Sequence, residues 1–217
     1  MKTLNQYIQE KLIVNKEYRD VNMLTPKSFD ELRKVIEDRY EKLGPGTKRK
    51  PINFNDIDVS NLDSLCSKND IGIFEGTKFK YIDISDWDVS NVTNMTRMFY
   101  WCKELKSVGD ISKWDVSNIK KMNSMFARCE ELESIGDISY WDTSNVRFMS
   151  SMFCFCKKFN QDISMWDVSN VIDMTNMFYD CASFNQDLSG WNVSNVRFNI
   201  FVFVDCPIKE EYKPKFK

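Results

Sequence analysis

Three sets of residues in this 217-residue chain have the types and spacing to do chemistry. The first is a run of cysteines, Cys102, Cys129, Cys156, Cys181 and Cys206, with Cys66 and Cys154 beside it. Thiolates hold zinc and exchange disulfides. The second is a pair of aspartate columns: Asp83, Asp110, Asp137, Asp162 and Asp187, and Asp88, Asp115, Asp142 and Asp167. Stacked carboxylates are a donor set for calcium. The third is "WDVSN" at 87–91, 114–118 and 166–170, with "WDTSN" at 141–145 and "WNVSN" at 191–195. No histidine is present. That excludes Ser-His-Asp and Cys-His catalysis, a histidine general base and every histidine-containing metal site.

Each set also has a structural reading, and recurrence favours it. The aspartate that opens D-V-S-N can accept hydrogen bonds from backbone N–H groups two residues on. Asn192 replaces it in the last copy, which suits a turn former better than an anionic ligand. The cysteines are odd in number, include a C-x-C at 154–156 but no C-x-x-C, and recur at one column. We read them as reduced, small buried hydrophobes and assign no metal site and no cofactor. The Trp-Asp pair invites a propeller, but propeller blades need about 40–45 residues and these copies are shorter. The sequons at 91–93, 94–96 and 192–194 are absorbed by the motif.

The elements that carry these residues follow from the period. Trp87, Trp114, Trp141, Trp166 and Trp191 are spaced 27, 27, 25 and 25. Phe99, Phe126, Phe153, Phe178 and Phe203 follow each tryptophan by twelve residues, and the five cysteines follow by fifteen. Paired methionines, from Met95 and Met98 to Met174 and Met177, lie between. The motif is D-I-S-x-W-D-V-S-N-V-x-x-M-x-x-M-F-x-x-C. A degenerate copy precedes it, with Ile57 in place of tryptophan and Phe74 in the phenylalanine column after an insertion. One copy cannot bury its own apolar face, so copies must stack. Val92, Met95, Phe99 and Cys102 fall at i, i+3, i+7 and i+10, which predicts a short helical segment capped by Ser90 or Asn91. D-I-S-x-W is long enough only for a short strand. The fold class expected is therefore α/β: a leucine-rich-repeat-like solenoid of about five to six 25–27-residue coils with an N-terminal helical cap.

That cap is read from two amphipathic stripes, Leu4, Tyr7, Ile8 and Leu12, then Phe29, Leu32, Ile36, Tyr40 and Leu43. The second opens with Pro26 and a Ser28/Glu31 capping box and ends at Gly44. The domain reading is 1–50 as helical cap or docking segment, 51–206 as repeats and 207–217 as tail. Composition fits a globular chain, with 42% hydrophobic and 29% charged residues and a net charge of −2. Such a charge gives no reason to expect a nucleic-acid partner, and Lys48-Arg49-Lys50 reads as a solvated linker. No run reaches the ~18 apolar residues of a membrane span, and residues 1–18 are too polar for a signal peptide. On that basis the chain is expected in its compartment of synthesis.

The repeat resembles the BspA-like leucine-rich-repeat surface protein family and, more closely, the bacterial lipoprotein repeat of unknown function rich in W-D-V-S-N-V-T-x-M-x-x-M-F. The likeness covers about residues 80–206, with a weaker copy at 52–77. It implies a curved solenoid, non-enzymatic, that binds proteins or host surfaces, often at the cell surface. Family members commonly carry a secretion or lipoprotein signal, and this sequence shows neither. It supplies no catalytic residues.

In repeat proteins the columns that vary face outward. The two positions between phenylalanine and cysteine vary: Tyr100-Trp101, Ala127-Arg128, Cys154-Phe155, Tyr179-Asp180 and Val204-Asp205. Exposed aromatics favour interfaces, so Tyr100, Trp101, Phe155 and Tyr179 are the candidate contact residues. The function expected is a non-enzymatic module presenting an extended face to a protein partner. The alternative is an assembly component that oligomerises through its N-terminal helices.

Overall fold

A segment reading Met-x-x-Met-Phe-x-x-Cys can satisfy its peptide groups in two ways. Each N–H can reach back four residues, as in a helix, or leave the segment for a neighbour. The computed structural model, which describes residues 23–217, takes the second way. The N–H groups of Met95, Arg97, Phe99 and Trp101 donate to the carbonyls of Lys121, Asn123, Met125 and Ala127 in the next copy, at 2.8–2.9 Å. The pattern recurs down the chain, ending with Met174, Asn176, Phe178 and Asp180 on the carbonyls of Phe198, Ile200, Val202 and Val204. The intervening N–H groups of Met98, Tyr100 and Cys102 donate to the carbonyls three residues back. Each copy is thus a succession of tight turns. Single parallel bridges tie them together through Ser64, Asn94, Lys121, Phe148, Asp173 and Phe198.

Among the described residues there is one α-helix, Phe29–Leu43 (α1), two strands, Ile52–Asn53 (β1) and Ile82–Asp83 (β2), and one 3-10 turn, Glu210–Tyr212. The strands pair in parallel, Ile52 with Ile82 and Asn53 with Asp83. This overturns the α/β leucine-rich-repeat-like solenoid with an N-terminal helical cap. The copies contain no helix, and beyond β1 and β2 they pair through isolated single-residue bridges. An apolar residue every third or fourth position is common to a helix and to consecutive turns. Ser90 and Asn91 do not cap a helix either. Ser90 donates through its N–H and hydroxyl to Asp88, and the Asn91 amide donates to the Ser60 carbonyl of the preceding copy.

The one helix forms where its end signals place it. Ser28 Oγ accepts the Glu31 N–H, and the Glu31 carboxylate accepts the Lys27 N–H at 2.8 Å. Gly44, at φ +74°, ends it with its N–H on the Tyr40 carbonyl. α1 buries Leu32 and Ile36, sets Tyr40 edge-on to Phe79 at 5.0 Å, and leaves Leu43 exposed. Its Arg33 guanidinium donates to the carbonyls of Gly72, Ile73 and Glu75. The other expected helix, with Leu4, Tyr7, Ile8 and Leu12, lies outside the described residues.

The repeated side chains stack in columns. Phe74, Phe99, Phe126, Phe153, Phe178 and Phe203 lie nearly parallel, 5.2–5.9 Å between successive ring centroids. Trp114, Trp141 and Trp166 follow at 6.5 and 6.0 Å. One continuous core runs from Leu32 to Ile208. Where the period drops from 27 to 25, the Gln161 amide stands in for a peptide group. Its Oε1 accepts the Ile135 N–H, and its Nε2 donates to the Gly136 carbonyl.

Candidate functional site

The tryptophans and cysteines hold copies together, and the aspartates hold the turns within each copy. Each repeated indole N–H donates to a carbonyl of the preceding copy: Phe54, Ile84, Ile111, Ile138 and Ile163 for Trp87, Trp114, Trp141, Trp166 and Trp191, at 2.8–3.3 Å. Asp115 Oδ1 accepts both the hydroxyl and the N–H of Ser117, at 2.6 and 3.1 Å. Those bonds favour the ionised form and hold its carboxyl below the usual aspartate value, as Ser169 does for Asp167. Asn192 makes the same turn, accepting the Ser194 N–H.

The cysteine thiols do equivalent work. Cys102, Cys129, Cys156 and Cys181 donate to the carbonyls of Phe74, Phe99, Phe126 and Phe153 in the preceding copy, at 2.9–3.1 Å. Burial pushes the Cys156 and Cys181 thiols up, away from the reactive thiolate. All seven cysteines are free thiols. Among the described residues no group of three or more Cys, Asp or Glu is placed to hold a metal ion.

The variable columns form one edge of the stack. Trp101, Arg128, Phe155 and Asp180 occupy equivalent positions in successive copies, all in the left-handed region, with φ of +63°, +64°, +61° and +54°. The turns require that conformation, which costs a non-glycine residue about 1–3 kcal/mol. Trp101 is 42% exposed, and Tyr100, Phe155 and Tyr179 are half-buried. Tyr100 lies 5.9 Å from Trp101, and Phe155 lies 5.5 Å from Tyr179. The four expected contact residues therefore fall into two pairs.

Arg128, a cation among the aromatics of the same column, joins them. Its guanidinium carbon sits 4.5 Å from the Trp101 ring centroid and 4.1 Å from that of Phe155. Among the described residues this guanidinium has no hydrogen bond or ion pair. Its sequence signal was faint: a cation in the same variable column as the aromatics, one copy away from each. Lys103 also lies over Trp101, at 4.7 Å, and Arg97 over Tyr100, at 4.2 Å. Cys154 lies on the same edge, half-buried, its thiol pushed up to about 11 by burial. Such an edge offers flat apolar area around a fixed, charged donor fork, a combination suited to a carboxylate-bearing surface.

Fold and edge together define a class: a repeat protein of stacked turns with an aromatic–arginine rim. The chain belongs to the family described as "Mycoplasma protein of unknown function, DUF285", which matches residues 48–136, 71–155 and 133–210. This places it in a bacterial repeat family of unknown function, while the leucine-rich-repeat part of the resemblance falls with the architecture. No curated protein and no solved structure matches the chain. No helix among the described residues is long and apolar enough to cross a membrane.

Proposed function

We propose that this chain is a non-enzymatic binding module. It docks a protein partner along the edge formed by Tyr100, Trp101, Arg128, Phe155 and Tyr179. The observation that carries this reading is the Arg128 guanidinium, held over two rings with no hydrogen-bond acceptor among the described residues. A preoriented arginine fork binds a carboxylate in bidentate fashion, and the flanking aromatics supply desolvated area around it.

The alternative, assembly through the N-terminal helices, draws no support from α1, whose Leu32 and Ile36 are turned onto the core. The likeness to surface proteins adds a setting to the proposal, an edge displayed outside the cell. The test compares proteins retained from the native environment by the wild-type chain and by a Trp101→Ala/Tyr179→Ala variant of unchanged thermal stability. Loss of a specific partner is expected. Retention of every partner would refute the edge as the contact face.

A further inference from the structure

We propose that the trailing edge of the last copy described, residues 197–205, docks one further coil of the same motif. Main-chain hydrogen bonding states the need. The N–H groups of Asn199, Phe201, Phe203 and Asp205 stand where their equivalents in the four preceding copies donate to a following coil, and among the described residues none of the four finds an acceptor. The carbonyl of Arg197 is in the same condition. Its equivalents Asp63, Thr93, Lys120, Arg147 and Ile172 each accept an N–H from the next copy.

The side chains match. Phe198, Ile200, Phe201 and Val204 are 56%, 58%, 59% and 39% exposed. Two of them break the motif. Ile200 follows Thr96, Asn123, Ser150 and Thr175 in its column, and Phe201 follows Arg97, Ser124, Ser151 and Asn176. A terminal copy that merely closes a stack carries a polar outer face. Here polar columns turn apolar where the stack meets solvent, which marks an interaction surface. The tail covers only the tryptophan half of this end. Ile208 is buried there, and the Leu188 N–H donates to the Tyr212 carbonyl at 2.8 Å.

The occupant follows from polarity. Four donors need a row of carbonyls, and the interior interfaces show its source: the leading edge of a following coil, as when Phe198, Ile200, Val202 and Val204 serve Met174 to Asp180. A second copy of this chain does not supply one. Trailing edge against trailing edge sets N–H groups against N–H groups. The leading edge is taken, since Arg33 holds the Ile73 and Glu75 carbonyls at 2.9 and 3.2 Å and Leu24 pairs with Ile57. A coil of the same motif with an open leading edge fits both the donors and the apolar face.

The test titrates the full chain into a fluorescent synthetic peptide of residues 166–190, read by anisotropy. Saturable binding is expected, weakened at least about tenfold by Phe201→Asp or Ile200→Asp and unchanged by Trp101→Ala. Both aspartate variants alter exposed side chains, and an unchanged melting temperature verifies their fold. On saturation the amides at 199, 201, 203 and 205 should exchange hydrogen more slowly. Absence of binding, or binding indifferent to both aspartate variants, overturns the proposal. Self-association of the chain alone that Phe201→Asp abolishes also overturns it, because a second copy would then occupy the edge.

Discussion

Replacing Trp141 by phenylalanine separates a rung of the stack from a recognition residue. Trp141 is 3% exposed, in the middle of the five full copies. Its indole donates to the Ile111 carbonyl at 3.1 Å, and that oxygen also accepts the Trp114 N–H at 3.2 Å. Losing the indole N–H therefore leaves the carbonyl one partner. The loss is the net worth of a hydrogen bond, about 0.5–1.5 kcal/mol, and not a full desolvation penalty. The smaller ring also gives up roughly two carbons' worth of buried contact with Trp114 and Trp166, about 1.6 kcal/mol. Trp141→Phe should destabilise by about 2–3 kcal/mol. Trp141→Ala, which opens a cavity as well, should cost about 4–6 kcal/mol. Urea unfolding followed by circular dichroism measures both. A Trp141→Phe midpoint equivalent to less than about 0.5 kcal/mol, the range of ordinary surface changes, would refute the rung.

Two further outcomes test the turns. Gly136 sits at φ +89°, and an added Cβ would collide with the Asp110 carboxylate, so Gly136→Ala should lose about 1–3 kcal/mol. Gly190→Ala meets nothing within 4 Å and should stay within about 0.5 kcal/mol; equal melting temperatures for the two would contradict the geometry. The Asp115 and Asp167 carboxyls are depressed below the ordinary 3.8 by their serine partners. A depressed carboxyl contributes stability that is complete above its unfolded value and lost as pH falls through its folded value. Melting temperature should therefore hold from neutral pH down to about that point and fall below it. Ser117→Ala/Ser169→Ala should flatten the fall, and a rise in stability on acidification would reverse the sign of the reasoning.

What was legible in the sequence was whatever repeats or acts within a few residues. The period, the Trp, Phe, Met and Cys columns and the Asp-x-Ser turn could be read because each copy restates them. The ends of α1 could be read because Ser28, Glu31 and Gly44 act within one turn. Candidate contact residues could be picked as a variable column, yet their neighbours could not. Arg128 lies 27 residues from each of Trp101 and Phe155, and only stacking puts it between their rings.

The path from tryptophan to cysteine was beyond the sequence alone. Apolar spacing of three and four serves a helix and a run of turns equally, and both send Val92, Met95, Phe99 and Cys102 inward. The choice rests on where the N–H groups of Met95, Arg97, Phe99 and Trp101 find acceptors. A lone copy would have had only its own carbonyls. Once a second copy lies beside it, the next coil's carbonyls at 121, 123, 125 and 127 take those bonds. The sequence by itself determined what repeats and which residues face the core. Tertiary structure decided what the backbone does between them, because hydrogen bonds between copies exist only after the copies meet.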